Sequence, residues 1–254
     1  VSAAWAAFRA TLRKEWASLF ATPLAMVFVA AFVAGSTLIC FQIGGLFESG
    51  RADLQPFFQF HPWLHVIVMP ALAMRAFTEE ARAGTLETLM SLPAPMTAIV
   101  AGKFVAVWGL AGLALALTFP LWLAFSFLGP VDHGATAATY LASWLGAGAV
   151  LALGIAASAA TTSQVTAFVI GAGGAFLLTA AGLPLVADTV RGALEPAGGA
   201  ALADALALVS LLDPFDAAQR GVIEAVGIVF HLSLIALFLA LATLLVDARR
   251  TPRP

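Results

Sequence analysis

The sequence predicts an all-α, polytopic membrane protein with six transmembrane helices, and three observations predict it. Hydrophobic residues make up 61% of the 254 and charged residues 10%, whereas a soluble domain averages about 45–50% and about 25%. Apolar runs long enough for a span of about 20 residues recur along the chain. Lys and Arg then collect on one side of the topology those runs define. The composition excludes a soluble enzyme, because too much apolar surface would stay at the water boundary. It also excludes disorder. Cys40 is the only cysteine, so no internal disulfide framework exists. A net charge of −2 gives no basic footprint for nucleic acid.

Residues 1–22 open the chain with Trp5, Phe8, Leu12, Trp16 and Leu19 at spacings of three and four. Arg9, Arg13 and Lys14 fall between them. This predicts an amphipathic helix, aromatics on one side and basic residues on the other, lying in the cytoplasmic membrane interface. Its plainer reading is an anchoring helix before the membrane. It lacks the short apolar core and cleavage site of a signal peptide.

The first span covers 23–47 and carries no charge before its end. The second covers 60–77, with Arg75 near one end. The third, 96–128, is too long for one straight span and carries Pro120, so a tilt or bend is expected. The fourth covers 137–160 and the fifth 165–187. Only Thr161 to Gln164 separates them, which forces an antiparallel pair. The sixth covers 222–246. Six spans put both termini on one side with nine of the twelve Lys and Arg. That side is expected to be cytoplasmic. A five-span count would separate the two basic ends.

The polar cytoplasmic segment is 78–95. Thr78 before Glu79, Glu80 and Ala81 reads as an N-cap with acids in the first turn. Gly84 breaks or bends this helix. Thr85 then precedes Leu86, Leu89, Met90 and Leu92, until Pro93 and Pro95 stop the helix. Its apolar edge is too short to cross a membrane and suits a partner surface. Alternatively it lies back on the interface or on its own bundle. On the far side, 188–221 forms a periplasmic or re-entrant segment, with a helix expected over Ala200 to Leu212. The alternative is a surface helix on a loop.

Candidate chemistry is sparse. His61 and His65 stand four apart, but Pro62 follows His61 where a zinc-protease motif needs Glu. They read as packing histidines, as does His231 in the last span. Ser36 and Ser158 have no nucleophile motif around them. The only Gly-Lys pair, Gly102-Lys103, is followed by Phe104, and Thr97 stands where a P-loop has its first glycine. Nucleotide hydrolysis is therefore expected in another polypeptide. No acid or base lies deep inside a span, which argues against an ion-coupled secondary transporter, the main alternative. An intramembrane enzyme is the weaker one. Apolar walls suit a lipid-like molecule or a hydrophobic peptide.

Small residues recur in the first and fifth spans: Gly35, Ser36 and Gly44, then Gly171, Gly173, Gly174 and Gly182. They let helices approach closely, either across a subunit interface or inside the monomer.

The run from Pro62 to Phe104 resembles the ABC type 2 permeases, and within them the gliding-motility (GldF-like) group. The matching positions are Pro70, Ala71, Leu72, Met74, Arg75, Glu79, Glu80, Arg82, Gly84, Thr85, Leu86 and Glu87. Asp213-Pro-Phe-Asp before Arg220-Gly-Val-Ile is similar to that group's C-terminal end. The resemblance implies an exporter-type subunit of the bacterial inner membrane. It implies two permeases, identical or homologous, each docked on a cytoplasmic ATPase. Thr78 to Leu92 would be the coupling helix, with Thr78, Glu79, Glu80, Arg82, Gly84, Thr85, Leu86, Glu87, Leu89 and Met90 at the docking site. The N-terminal helix would be the connecting helix, with Trp5, Phe8, Arg9, Arg13, Lys14 and Trp16. The first and fifth spans would meet the second permease, through Gly35, Ser36, Gly44, Gly171 and Gly174. The chain itself would bind no cofactor, with ATP and Mg in the partner ATPase. Membrane lipid is a further expected partner, and a periplasmic accessory protein is counted among the candidates.

Overall fold

The computed structural model describes residues 3–21, 23–42, 54–91, 93–193, 201, 204–205 and 208–249. Those residues are helical with turns between, and no strand occurs among them. The axis of the bundle is the helix His133–Ala160. Its Ala, Gly and Ser residues let neighbours approach on every side. Of its apolar window 78% is inside the protein, more than for any other span. It starts a turn earlier than the expected 137, because Asp132 caps it by accepting from Ala135 N–H at 2.9 Å.

In chain order, α1 is Ala3–Ala21 and α2 is Pro23–Gln42. Residues 43–47 of the expected first span lie outside the described residues. The second span is a continuous stretch of 28 residues, Gln55–Arg82, longer than 60–77 at both ends. It consists of α3 (Gln55–Phe58), α4 (His61–Ala73) and α5 (Arg75–Arg82). Pro70 lies inside α4, where its missing N–H leaves Val66 without a backbone donor. Thr78 is therefore mid-helix and is no N-cap. Its hydroxyl donates to Met74 O at 2.6 Å, one turn back.

After the turn at Gly84, whose φ of +70° suits glycine, comes α6 (Leu86–Ser91). The third span bends as expected. Its halves are α7 (Met96–Ala116) and α8 (Phe119–Leu128), joined at Leu117–Thr118 just before Pro120. The axial helix is α9. A short loop leads to α10 (Gln164–Ala180), capped by Ser163 Oγ.

The fifth span departs from the expected 165–187. It stops at Ala180, and α11 (Pro184–Ala193) leaves it at 83°. Pro184 cannot donate the next backbone bond, so the helix ends before it. Five stretches are long and apolar enough to cross a membrane, and the bent α10–α11 pair makes a sixth candidate. Of the helix expected over 200–212, residues 201, 204, 205 and 208 are helical, but the chain turns at 209–211 before the next helix starts at Leu212. The packed far-side helix is α12 (Leu212–Gln219), with Leu212, Phe215, Ala217 and Ala218 buried. The last span is α13 (Ala225–Asp247).

Neighbour contacts give the directions. His61 meets Ser143 while Phe77 meets Ser158, so α4–α5 runs parallel to α9. His231 faces Gly146 and Ile235 faces Gly148, so α13 does too. Trp108 stacks on Trp144 and Trp122 meets His133, so α7–α8 runs against them.

Candidate functional site

At the end of the bundle holding both described termini, α1, α5 and α7 meet around one buried cation. Lys103 enters from the first turns of α7, and its side chain is 3% exposed. Its ammonium donates to Glu15 of α1 at 2.8 Å and to Glu80 of α5. Lys14 stands 3.5 Å from each carboxylate and is mostly in solvent. The Lys103 ammonium also lies 5.3 Å from the ring centroid of Phe77. A lysine this deep persists only with carboxylate partners, since the bare charge would be costly to bury. Beside it a solvent-open pocket is lined by Glu15, Leu19, Leu72, Arg75, Glu79 and Lys103.

A second tie runs from α5 to the end of α9. Ser158 Oγ accepts from the backbone N–H of Phe77 at 2.8 Å and of Thr78 at 3.2 Å, and donates to Met74 O at 3.0 Å. Ser158 thus caps the irregularity at Met74, and it is fully buried.

Two glycines of α7 seat α1. A methyl at Gly102 would stand 2.8 Å from Thr11 Cβ, and one at Gly109 would stand 2.9 Å from the Trp16 ring. Phe8, Thr11, Glu15 and Leu19 turn inward, while Trp5, Arg9, Arg13, Trp16 and Phe20 are exposed. At 100° per residue, Arg9 falls between Trp5 and Phe20 on the outer face. Aromatic and basic residues are therefore mixed there, which corrects the expected separation.

The expected docking residues divide. Glu79 is exposed and pairs with Arg75 at 2.8 Å. Arg82, Gly84, Thr85 and Glu87 are exposed. Thr78 is fully buried, and Glu80 is turned into the Lys103 cluster. Leu86 is buried, and Leu89 and Met90 are half-buried against the core. The apolar edge thus lies on the bundle, and α6 presents a polar face outward. Leu92 lies outside the described residues.

The small residues of the first and fifth spans are taken up inside the monomer. Gly35 faces Leu64. Ser36 is buried and donates to Phe32 O at 2.8 Å. Gly171 packs on Pro70 and Gly154, and Gly174 on Leu153. Gly44 lies outside the described residues. A methyl at Gly173 would meet nothing within 4 Å.

Deep in the bundle, Ser143 Oγ lies 3.0 Å from His61 Nδ1 and 3.5 Å from His65 Nε2. Phe32, Phe57 and Phe58 pack around His61, and Phe32 stacks on His65. Sequence reasoning missed Ser143 as the partner of both. It also missed Glu15 and Lys103, although a lone lysine entering an apolar run signals a carboxylate nearby.

The family model for ABC-2 family transporter protein matches residues 10–248. No curated protein matches the chain. The match takes in α1 from residue 10 on, the whole Lys103 cluster and every span, so the chain belongs to the ABC-2 family of transporter proteins, as a multi-pass permease subunit of the kind that works with a separate ABC ATPase.

Proposed function

We propose that this permease is the membrane half of an ATP-driven exporter in the bacterial inner membrane, most similar to the gliding-motility group. Both termini face the cytoplasm. Two permeases, identical or homologous, form the core, and each docks one ATPase that holds ATP and Mg. The chain itself holds no cofactor. The observation that carries this reading is the ionic cluster of Glu15, Glu80 and Lys103, which ties α1, α5 and α7 into one body. A push on the turn between α5 and α6 would then move three helices together, and Ser158 would pass it to α9.

The docking face of this reading is polar: Arg82, Thr85, Glu87 and Thr88, with the exposed face of α1 beside it. The second permease would meet the side formed by α2, α4 and α10. There Leu38, Ile67, Val169 and Phe176 are exposed beside the open Gly173. The buried polar groups deep in the described spans are serines, threonines and histidines, all but Thr179 hydrogen-bonded locally, which favours a lipid-like or hydrophobic cargo over an ion.

The test is co-purification of the full chain with an ABC ATPase from the same cell. Glu87→Arg is expected to cut capture several-fold while the spans still insert, because charge reversal at a docking rim acts on association. Full capture and unchanged hydrolysis would remove α6 from the docking site.

A further inference from the structure

One stripe of the outer face of α1 combines charge and aromatic rings in a fixed order. At about 100° per residue, Trp16, Arg9, Phe20 and Arg13 fall within an arc of about 60°. All four are exposed. No acid shares the stripe, since Glu15, the one acid of α1, is turned inward onto Lys103. Arg9 and Arg13 form no ion pair among the described residues. They stand one turn apart, where like charges repel. An anion held between them relieves that repulsion.

The depth of each residue follows from how α1 is seated. Thr11 lies at Gly102 and Trp16 at Gly109, so α1 and α7 advance in the same direction. Lys103 is the last charge of the third span, and residues 104–128 carry none. Arg9 and Arg13 lie two residues either side of Thr11, within about 3 Å of its level along α1. Gly109 is about 10 Å further along α7 than Gly102, which puts Trp16 at apolar depth and Phe20 one turn beyond it. From the end of the bundle inward, the stripe therefore presents two guanidinium groups where charge stops, then two aromatic rings. A phospholipid has the same order, its phosphate before its acyl chains. A soluble protein surface could reach the arginines but not the ring at Gly109.

We infer that this stripe holds an anionic phospholipid, with its phosphate between Arg9 and Arg13 and the start of its acyl chains against Trp16 and Phe20. Guanidinium groups pair phosphate oxygens with directed hydrogen bonds, and two of them suit a headgroup of net negative charge. A choline headgroup brings a cation back to the same place and is disfavoured. The lipid is a surface partner of α1, not cargo, and its binding does not rest on the exporter reading.

The experiment uses the full chain in phosphatidylcholine nanodiscs, which offer both leaflets and contain no ATPase, so neither topology nor docking enters the result. The probes are a phosphatidylglycerol and a phosphatidylcholine, each with a diazirine near the glycerol end of one acyl chain, used separately in equal amounts. Peptide mapping compares labelling of residues 9–20 with that of residues 225–247, the last span, whose Val226, Val229 and Leu237 are exposed. The phosphatidylglycerol probe is expected to be preferred at 9–20, with no preference at 225–247. Arg9→Gln with Arg13→Gln is expected to cut that preference by about fivefold for each arginine, the scale of one basic residue at an anionic surface. High salt should lower the preference in the parent and have little left to lower in the double variant. Equal labelling of 9–20 by the two probes, an unchanged preference in the double variant, or labelling of 225–247 without 9–20 would overturn the site. In a second arm, the complex with a captured ATPase should keep the labelling of 9–20. Its loss there would give the stripe to the ATPase and refute the lipid assignment, with the exporter reading left standing.

Discussion

Lys103→Met is the most informative single perturbation of this permease. The ammonium lies between the Glu15 and Glu80 carboxylates with its side chain 3% exposed, and Glu80 Oε2 is already buried without a partner. Removing one member of a buried ion pair costs about 3–5 kcal/mol, because the remaining charge is stranded. Two features lower that figure here. The Glu15 side chain is 21% exposed, so water reaches it. Lys14 remains 3.5 Å from both acids. We expect a loss of about 2–3 kcal/mol. Methionine keeps the length and the packing on Phe77, so the loss reports charge and not a cavity.

The assay is unfolding of the purified chain in nanodiscs, with amide exchange over residues 3–21. None of the α1 side chains is buried, so its attachment rests on this cluster and on its seats at Gly102 and Gly109. Exchange in α1 should rise before the spans loosen. Adding Glu15→Gln and Glu80→Gln to Lys103→Met should recover most of the loss, since neutral amides strand no charge. A single variant within about 0.5 kcal/mol of the parent, the scatter of ordinary surface substitutions, would refute the reasoning. So would a triple variant weaker than the single one.

Further outcomes follow from the same geometry. A methyl at Gly148 would stand 2.7 Å from Trp108 Nε1, so Gly148→Ala should cost about 1–3 kcal/mol in unfolding experiments. Gly173→Ala meets nothing within 4 Å and should be neutral or stabilising by up to about 1 kcal/mol. In a Cys40→Ala background, Gly134→Cys should react with an impermeant thiol reagent from the periplasm and Thr162→Cys should not; labelling of both from one side would break the alternation of spans. Burial raises the Asp216 carboxyl above its ordinary range, assisted by Asp213 and opposed by Arg220. Its charged form is therefore disfavoured by folding. Asp216→Asn should stabilise the protein above that raised value, with the gain fading as pH falls through it and both forms become neutral. A gain that grows toward acid pH would contradict the sign.

Much of the fold was legible because a span imposes its own length. The bend before Pro120 was legible too, since 33 apolar residues exceed one crossing. The break before Pro184 was missed, because Leu183, Leu185 and Val186 keep hydropathy high across it. Thr78 followed by acids has the composition of an N-cap, yet the helix had already begun at Arg75 and Ser158 serves the backbone there. The apolar edge of Leu86 and Leu89 was recognisable as an edge. Its direction was not, because periodicity marks a face without saying what covers it. The partners of Lys103 come from helices 88 and 23 residues away in sequence, a separation no local pattern spans.

The glycines explain why the subunit interface was the hardest feature to read. Trp108 and Trp144 stack at 4.1 Å, and each donates its indole N–H to the other's backbone carbonyl. Gly112 makes room for Trp144, and Gly148 for Trp108, each glycine four residues after the other's tryptophan partner. Gly102 does the same for Thr11, Gly109 for Trp16 and Gly171 for Pro70. In lipid the apolar contacts between helices have no hydrophobic drive of their own, so close packing must supply the association. The same small residues would serve a contact between two permeases, and sequence carries no mark of which use is made. Filling the seats internally has a mechanical consequence. With α1, α7 and α9 joined by bulky groups set into glycine gaps, and with Lys103 locked between two carboxylates at one end, that end is built to move as one body. The far end is held differently, with the α12–α13 corner resting on α9 around open cavities. Pockets therefore open at both ends, beside Lys103 as well as around the α12–α13 corner, and what sets the first end apart is the buried Lys103 held by Glu15 and Glu80.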